Sequence, residues 1–433
     1  MSSDWPTVQI DQVCDLIVDC VNKTAPVVDE PTPFRMIRTT NIRNGRIDLA
    51  GCRFVDEDTY VKWTRRAALQ FGDVLLTREA PIGEIGFVLE PKGHFLGQRV
   101  MQYRADATVL SPRFLLYTFL SPALQHQFDS HEGSGSVVSH IRVSDCFKFK
   151  ITLPPLPVQS AIAALLGALD DRIALLRETN ATLEAIAQAL FKSWFVDFDP
   201  VHAKQQGIAP AGMDEATAAL FPDSFEESAL GLVPNGWKVR PLDEIATYLN
   251  GLALQKFPPS DDSWLPVIKI AQLRKGDTVG ADRAGRNLKS EYVIQNGDVL
   301  FSWSGSLEVE VWCGGEGALN QHLFKVTSKV FPKWFYLRWT RHYLSHFRQI
   351  AASKATTMGH IQRKHLSGAK VLVPPDALLS AMDTCFGPLL ARTVENELQA
   401  QTLTTLRDTL LPRLISGQLR LPQAEAELTE ALA

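Results

Sequence analysis

The chain repeats itself, and this repeat restricts its fold more than any other feature of the sequence. The segment that begins at Trp5 reads W-P-T-V-Q-I-D-Q-V, and the one that begins at Trp237 reads W-K-V-R-P-L-D-E-I. Gly72-Asp73-Val74-Leu75-Leu76 likewise has a counterpart in Gly297-Asp298-Val299-Leu300-Phe301. Matches in a fixed order over such a length predict a tandem duplication of one structural module. Later matches at a constant offset are His140-Ile141 with His360-Ile361, and the double prolines 154–155 with 374–375.

The same order of elements is predicted in each half. Short apolar runs such as 73–77 and 298–302, broken by Gly, Pro and Asp, are typical of strands and turns. A helical stretch opened by Pro112 or Pro332 follows, because proline is favoured in the first helical turn. A small polar loop and a last strand then lead to the double proline, after which the hydrophobic period becomes helical. We therefore expect an α+β fold, with two tandem mixed-sheet modules that are each followed by a long helix.

The helix after the first double proline has the most regular hydrophobic pattern of the chain. We expect it to run from Val158 to Trp194, which is about 55 Å at about 1.5 Å per residue. Its apolar residues recur at alternating steps of three and four, as in a coiled-coil seam, and one polar seam residue is a device that fixes register. We expect the second long helix, which ends before Pro412 in this interpretation, to be its partner. The alternative is two independent helices, each lying on its own domain. The predicted seam comprises Leu166, Leu169, Ile173, Leu176, Asn180, Leu183 and Leu190 in the first helix, and Phe386, Leu389, Asn396, Leu403 and Leu410 in the second.

Charge is distributed unevenly along the chain. The net charge is only −4, but the interval from Gly317 to Pro375 carries ten Lys or Arg, five His and neither Asp nor Glu. A long stretch of one sign inside a globular segment is typical of a polyanion partner. The alternative is a basic surface without such a partner. Nucleic acid is therefore a candidate ligand.

Motifs of catalysis and of cofactor binding are missing from the sequence. It has no P-loop, no G-x-G-x-x-G at a strand-to-helix junction and no H-E-x-x-H. The double prolines lack the preceding Asn or Asp and the following aromatic residue of an amino-methyltransferase motif. Asp73 and Asp298 each follow a glycine, and we interpret them as turn or capping residues. We expect neither a metal nor a cofactor on this chain.

Other features of the sequence indicate the cell compartment. The six cysteines include no C-x-x-C pair, so we expect reduced structural thiols rather than disulfides or zinc sites. No apolar run approaches the roughly 20 residues that span a bilayer. Asp4, Asp11 and Asp15 argue against an amino-terminal signal peptide. We expect a cytoplasmic protein without a membrane partner.

Several side chains in matching places of the two halves suit contacts with DNA. Arg pairs with guanine and Asn or Gln with adenine in the major groove, and Lys and Arg neutralise phosphates. The alternative is that some of these side chains cap strands or bond to local backbone. The aromatic residues that are interleaved with the basic ones between 334 and 347 fit a core better than base stacking. The candidates in the first half are Arg38, Thr39, Asn41, Arg43, Arg78, Gln98, Arg99, Ser134, Ser136 and His140. Those in the second half are Lys269, Gln272, Arg274, Lys275, Ser302, Ser304, Asn320, Gln321, His322, Lys333, Arg338, Arg341, Lys354, Thr356, Thr357, His360 and Lys364.

Seven motifs resemble those of type I restriction–modification specificity subunits, in the same order along the whole chain. The amino-terminal ones are L-P-P-L-P-x-Q at 153–159, L-D-D-R-I at 169–173, N-x-T-L-E-A-I-A-Q at 180–188 and F-K-S-W-F-V-D-F-D-P-V-H-A-K at 191–204. The others are F-P-D-S-F at 221–225, G-x-V-P-x-G-W at 231–237 and L-L-P-R-L-I-S-G at 410–417. The second long helix departs from the pattern, with Pro388-Leu389-Leu390-Ala391 where the first has L-D-D.

The resemblance implies a DNA-reading subunit that is not an enzyme by itself. Two target recognition domains would each read half of a split, asymmetric site on double-stranded DNA, and the antiparallel long helices would set the gap between the half-sites. Methyltransferase subunits, expected to be two, and restriction subunits would dock on the chain and would bind S-adenosylmethionine, ATP and Mg. The alternatives are a protein-interaction scaffold with a basic surface and a self-contained DNA methyltransferase or nuclease.

The charge distribution and the repeat, together with the resemblance, suggest domain boundaries. The predicted segments are recognition domain 1 at 1–155, helix 1 at 156–198, an acidic connection at 199–236 with one short helix near 214–220, basic recognition domain 2 at 237–375, helix 2 at 376–418 and an acidic tail at 419–433.

Overall fold

The structure is a computed structural model that describes residues 5–21, 23–130, 140–259, 263–353 and 359–432. The chain forms two compact units. The first unit comprises Met1–Ile173 together with Leu403–Ala433, and the second comprises Ala174–Thr402. Two helices of 40 residues, Leu156–Phe195 and Asp376–Ile415, contribute to each unit; we call them the first and second long helices.

The first unit is built on two small sheets. One is antiparallel, with the strand order Cys14–Asp19, Val100–Ala105, Val74–Arg78 and Ile82–Phe87. The other pairs Phe34–Ile37 in parallel with His94–Leu96 and antiparallel with Arg53–Val55. Smaller pairs are Thr7–Gln9 with Lys150–Thr152 and Ile42–Arg43 with Arg46–Ile47. The shorter helices are Glu57–Thr64, Pro112–Leu120, Pro122–Asp129 and Leu421–Leu432, with 3-10 turns at Ile10–Gln12 and Thr39–Asn41.

The second unit repeats this plan. Its antiparallel sheet has the order Thr247–Asn250, Leu323–Thr327, Val299–Ser302 and Val309–Val311. Its other sheet again has one parallel pair, Trp264–Ile268 with Gly317–Leu319, flanked by Arg283–Gly285 and Val293–Ile294. Smaller pairs are Lys238–Pro241 with Lys370–Val373 and Phe225–Ser228 with Gly231–Pro234. The shorter helices are Asp199–Gln205, Glu215–Leu220, Leu242–Ile245, Ile270–Lys275, Lys333–His342, Leu344–Ser353 and Arg363–Gly368, with 3-10 turns at Leu254–Lys256 and Ser290–Tyr292. The duplication predicted from the sequence is therefore confirmed in the fold.

The repeated Gly-Asp pair forms the same turn in the two units. Gly72 and Gly297 have φ values of 89° and 85°, a left-handed conformation that glycine adopts without steric cost. The carboxylate of Asp73 accepts a hydrogen bond from the backbone N–H of Gln70 at 2.6 Å, and Asp298 accepts the equivalent one from Gln295 at 2.8 Å. The predicted turn role of the two aspartates is confirmed, and it starts a central strand of each antiparallel sheet.

Within the second unit, the two long helices pack antiparallel through an apolar seam with one polar layer. Asn396, which is 2% exposed, donates to Asn180 Oδ1 at 2.9 Å, and Asn180 donates to the backbone oxygen of Thr393 at 3.0 Å. The ring centroids of Trp194 and Phe386 lie 5.6 Å apart. The polar residue of the predicted seam therefore has a polar partner on the second helix. Leu176 is buried, whereas Leu183, Leu190 and Leu389 are half-buried.

Within the first unit, the remaining turns of the two helices pack in the same antiparallel sense. Leu166, Leu169 and Ile173 are buried, as are Leu403 and Leu410. Arg407 forms an ion pair with Asp170 at 2.7 Å. The ion pair explains how an arginine is accommodated between the buried Leu403 and Leu410.

Three segments differ from the sequence interpretation: the second long helix, the acidic connection and the acidic tail. The second long helix continues through Pro412 to Ile415, although proline removes one helical hydrogen bond and costs about 3 kcal/mol. Burial of Leu411 and Leu414 offsets that cost, so the predicted end before Pro412 is wrong. The predicted short helix is present at Glu215–Leu220, but a helix and a hairpin accompany it in the acidic connection. Residues of the predicted acidic tail form the helix Leu421–Leu432, fastened by an Arg413–Glu427 ion pair at 2.7 Å.

All six cysteines are free thiols, and burial raises the pKa of Cys20 to about 11. In the described part of the chain, no group of three or more His, Cys, Asp or Glu could hold a metal ion. Among the helices described, none is both long enough and apolar enough to cross a membrane.

Candidate nucleic-acid interface

In the first unit, one end of the antiparallel sheet gathers several of the predicted DNA contacts. The backbone N–H of Arg78 donates to the Arg99 oxygen at 2.8 Å, and Arg78 Nη1 donates to the Ile141 oxygen at 2.9 Å. Ile141 returns a backbone hydrogen bond to Arg78 at 3.0 Å, which places His140 beside this strand end. Thr39 Oγ1 donates to the Ala80 oxygen at 3.1 Å. Residues distant in the sequence therefore meet at a single polar edge.

Arg99 is an exposed basic residue at this edge. Its φ is 69°, a left-handed conformation that is unusual for a residue with a side chain. Its side chain is 51% exposed, and its Nε lies 3.1 Å from a carboxylate oxygen of Glu79. The neighbouring Gln98 is held by Thr24, with 2.9 Å between the side chains. Glu79 was not among the residues predicted from the sequence, and only its position one residue after Arg78 could have indicated it.

Two of the predicted base contacts bond to local backbone instead. Asn41 Oδ1 accepts a hydrogen bond from the backbone N–H of Arg38 at 3.0 Å, and Gln272 Oε1 accepts one from Lys269 at 3.3 Å. Asn41 is 4% exposed and Gln272 is 6% exposed. The alternative raised for such residues therefore describes these two amides, which shape a helical turn rather than present an edge to an adenine.

In the second unit, the equivalent sheet end carries a different set of side chains. Ser304 Oγ lies 3.0 Å from His322 Nδ1, and Gln321 Nε2 lies 3.3 Å from His322 Nε2. The indole N–H of Trp303 donates to the Gln321 oxygen at 3.2 Å. Ile361 donates to the Trp303 oxygen at 3.0 Å, as Ile141 does to Arg78, so His360 takes the place of His140. Trp303 was missed in the sequence, although its match with Arg78 in the repeat could have identified it.

Three small polar residues at this second edge have structural roles. Ser302, Ser304 and Asn320 are all buried. Ser302 Oγ donates to the Ser306 oxygen at 2.6 Å, and Asn320 Oδ1 accepts from the backbone N–H of His322 at 3.2 Å. These bonds hold the loops on which Gln321, His322 and Trp303 lie.

Two arginines of the basic helix Lys333–His342 form ion pairs with carboxylates of the same chain. Arg338 is 7% exposed, and its guanidinium donates to Glu184 of the first long helix through two hydrogen bonds, one of 2.8 Å. Arg341 lies 2.8 Å from Glu184 and 2.9 Å from Glu310. Burial tends to raise the pKa of Glu184, but hydrogen bonds and charge from the two arginines hold it below its ordinary value. We therefore leave Arg338 and Arg341 out of the DNA surface proposed below, because their charges already have partners.

The remaining candidates fall into three groups. Lys333 Nζ donates to the Gly297 oxygen at 2.6 Å, and Lys269 forms an ion pair with Asp282. Arg43 donates to the Thr39 oxygen at 2.8 Å and, like Arg274, Lys275 and Lys364, is an exposed residue. Ser134, Ser136, Lys354, Thr356 and Thr357 lie outside the described residues. The two matched sheet ends thus contain the most coherent set of candidates.

Known proteins with a similar sequence or fold give this geometry a context. The family model described as "Type I restriction modification DNA specificity domain" matches residues 2–185 and 234–377, one match in each half of the duplication. The chain is similar to the MjaIX type I restriction enzyme specificity subunit of Methanocaldococcus jannaschii, with 25% identity over 81% of this chain and 78% of that one. It is also similar to the HindI specificity subunit of Haemophilus influenzae, with 24% identity over 82% of this chain and 88% of that one.

A solved structure shares the fold. The type I restriction–modification S subunit from M. genitalium has a TM-score of 0.54, with 15% identity over 95% of this chain and 96% of that one. The family model covers more than half of the chain, and the duplicated sheets and paired long helices agree with it. This chain belongs to the family of type I restriction–modification DNA specificity subunits.

Proposed function

We propose that this chain is the non-catalytic DNA-reading subunit of a type I restriction–modification complex. Each unit would read one half of a bipartite, asymmetric site on double-stranded DNA. The observation that carries the proposal is the pair of equivalent polar sheet ends, which have the same backbone framework but carry different side chains, exposed at Arg99 and half-buried at the other positions. Arg78 and Arg99 stand in the first unit where Trp303 and His322 stand in the second. Such a difference suits two unlike half-sites, because base edges are distinguished by hydrogen-bond pattern.

The two long helices would act as the spacer between the half-sites. They pack through an apolar seam, and the Asn180–Asn396 layer specifies one register. A helix has a constant rise per residue, so its length can define a distance. We further propose that methyltransferase and restriction subunits dock on this chain in the cytoplasm and bind S-adenosylmethionine, ATP and Mg themselves.

Methylome sequencing tests the proposal directly. A host without this restriction–modification system would express this chain together with the methyltransferase subunit encoded beside it, and control hosts would express either protein alone. We expect a split motif to be methylated only in the co-expressing host. Assembly of the complex without any new methylation would refute the reading role and favour an interaction scaffold. Methylation by this chain alone would show a self-contained methyltransferase.

A further inference from the structure

We propose that Arg99 and His322 are equivalent specificity-determining residues, each reading one base pair of its half-site, and that Glu79 and Ser304 are their positioning residues. This inference rests on the proposed function and deepens it. It concerns one position in each unit and does not depend on how the units are arranged.

The register of the two antiparallel sheets establishes the equivalence. Thr77 pairs with Val100 in the first unit, and Ser302 pairs with Leu323 in the second. Arg99 and His322 therefore each directly precede the paired strand residue. Glu79 and Ser304 each lie two residues beyond the paired residue on the neighbouring strand. The contacts match as well, at 3.1 Å between Glu79 and Arg99 and 3.0 Å between Ser304 and His322.

The conformation of Arg99 indicates a role beyond packing. A left-handed backbone costs a residue with a Cβ roughly 1–2 kcal/mol, and such conformations persist where surrounding contacts impose them, often at binding sites. Here the Arg99 oxygen accepts the backbone hydrogen bond from Arg78 at 2.8 Å. Half of the side chain is nevertheless exposed, and Glu79 contacts its Nε. That contact leaves the terminal Nη groups for the bidentate geometry that recognises O6 and N7 of guanine.

His322 offers different chemistry at the same place. Ser304 Oγ and Gln321 Nε2 lie within hydrogen-bond distance of its two ring nitrogens, and its ring centroid is 5.9 Å from that of Trp303. Ser304 would hold Nδ1 in place while Nε2 exchanges its 3.3 Å contact with the Gln321 side chain for a base edge; there a neutral imidazole presents one donor or one acceptor, whereas a guanidinium only donates. We therefore expect the base preferences at the two equivalent positions to differ.

The test uses the complete chain in complex with its methyltransferase subunit, and measures methylation of DNA substitutions at every position of the motif. Arg99→Ala should reduce discrimination at one position of one half-site by about 5- to 150-fold, the equivalent of the roughly 1–3 kcal/mol of a bidentate base contact. His322→Ala should relax one position of the other half-site. Each variant should leave the opposite half-site unchanged.

Two control variants match these changes. Arg113 is 40% exposed and pairs with Asp171 at 2.7 Å, so Arg113→Ala also removes a half-exposed arginine from a carboxylate. It follows Pro112, which lies against Gly72 at the opposite end of the Val74–Arg78 strand. His346 is an exposed histidine of the helix Leu344–Ser353. Neither Arg113→Ala nor His346→Ala should alter base preference.

Substitutions of Glu79 distinguish an effect on the orientation of the Arg99 side chain from an effect on the stability of the fold. Glu79→Gln keeps an oxygen that can accept from Arg99, whereas Glu79→Ala removes it. We expect the alanine variant to relax the same position as Arg99→Ala, the glutamine variant to retain most discrimination, and neither to change the thermal unfolding temperature appreciably. Ser304 is buried, so Ser304→Ala needs the same check of unfolding.

Two outcomes would overturn the inference. Unchanged base preference in Arg99→Ala and His322→Ala would exclude them as base readers. Weaker binding to all sequences, with a salt dependence reduced by about one phosphate contact, would identify them as backbone contacts instead. Failure of the proposed function is distinguishable, because the wild-type complex would then show no split motif.

Discussion

The Asn180–Asn396 layer of the long-helix pair allows the coupling energy between two seam side chains to be measured. The two asparagines can be replaced by alanine singly and together, which gives a double-mutant cycle. Asn180→Ala removes the acceptor of the Asn396 amide, which is 2% exposed and has no access to water as a substitute. Asn396→Ala leaves Asn180 half-buried and still bonded to the Thr393 oxygen at 3.0 Å.

These contacts predict unequal single effects. A buried donor left without its partner costs about 1–3 kcal/mol, so we expect Asn180→Ala to destabilise the second unit by about 2–3 kcal/mol. We expect about 1 kcal/mol for Asn396→Ala, because water can reach Asn180. The double variant leaves no unpaired amide in the layer, so its loss should be about 1–2 kcal/mol smaller than the sum of the single losses.

Hydrogen exchange of the peptides around positions 180 and 396, measured in increasing urea, gives the free energy of local opening. As a control, Asn180→Ala is combined with Ile361→Val, a buried substitution that lies beside Trp303 and should cost about 1 kcal/mol. That pair should be additive within about 0.5 kcal/mol. Additive losses in the Asn180→Ala/Asn396→Ala pair as well would refute the reasoning that the two amides act together.

Three further predictions follow from other contacts. Removing one matching heptad from each long helix should shorten the preferred gap between half-sites by about three base pairs, since seven residues rise about 10 Å; methylome sequencing measures the gap, and an unchanged gap contradicts the spacer role. Glu184→Gln leaves Arg338 buried without a counter-charge and should destabilise the second unit by about 3 kcal/mol at pH 7 without altering base preference. The folded pKa of Glu184 lies below its ordinary value of 4.5, so its contribution to the free energy of unfolding is present above pH 4.5 and is lost as the pH falls through the folded pKa. The thermal unfolding temperature should therefore change less between pH 7 and pH 3 in the variant than in the wild type. Asp73→Asn should lower the unfolding free energy of the first unit by about 2–3 kcal/mol, since the carboxylate is fully buried and accepts from Gln102 and Arg104, whereas Asp298→Asn, at a 20%-exposed position, should cost the second unit about 1 kcal/mol.

The fold was largely predictable because the sequence contains the same module twice. The repeat, the strands that follow the Gly-Asp turns, the strands before the double prolines and the helix seam depend on periodic apolar residues and on turn chemistry, which are local signals. The continuation of the second long helix through Pro412 was not predictable from local propensity, because proline disfavours a helix interior and the burial of Leu411 and Leu414 that offsets this depends on tertiary structure. The same holds for the helix Leu421–Leu432, whose acidic composition suggested a tail.

The candidate site was less predictable, because charge along a sequence differs from charge in space. The basic interval contains no acidic residue, but three of its four arginines are matched by carboxylates that lie outside it. Arg338 pairs with Glu184, and Arg348 pairs with Glu308 at 2.8 Å. The interpretation of the interleaved aromatic residues as core is confirmed, since Trp334, Phe335 and Trp339 are all buried. Residue equivalence within the repeat proved a better guide to the polar sheet ends than charge density.

The composition of the first unit has a consequence for the order in which the protein folds during translation. That unit includes the buried Leu403 and Leu410 of the second long helix as well as Leu166 and Leu169 of the first, and it needs Arg407 opposite Asp170. The 229 residues of Ala174–Thr402 are synthesised in between, which takes roughly 10 to 50 s at typical rates of elongation. The second unit is continuous in sequence and can be completed first. The segment that leaves the ribosome earliest is therefore the last to acquire its full hydrophobic core, and a nascent chain interrupted near residue 402 would carry an exposed leucine stripe for chaperones or proteases to recognise.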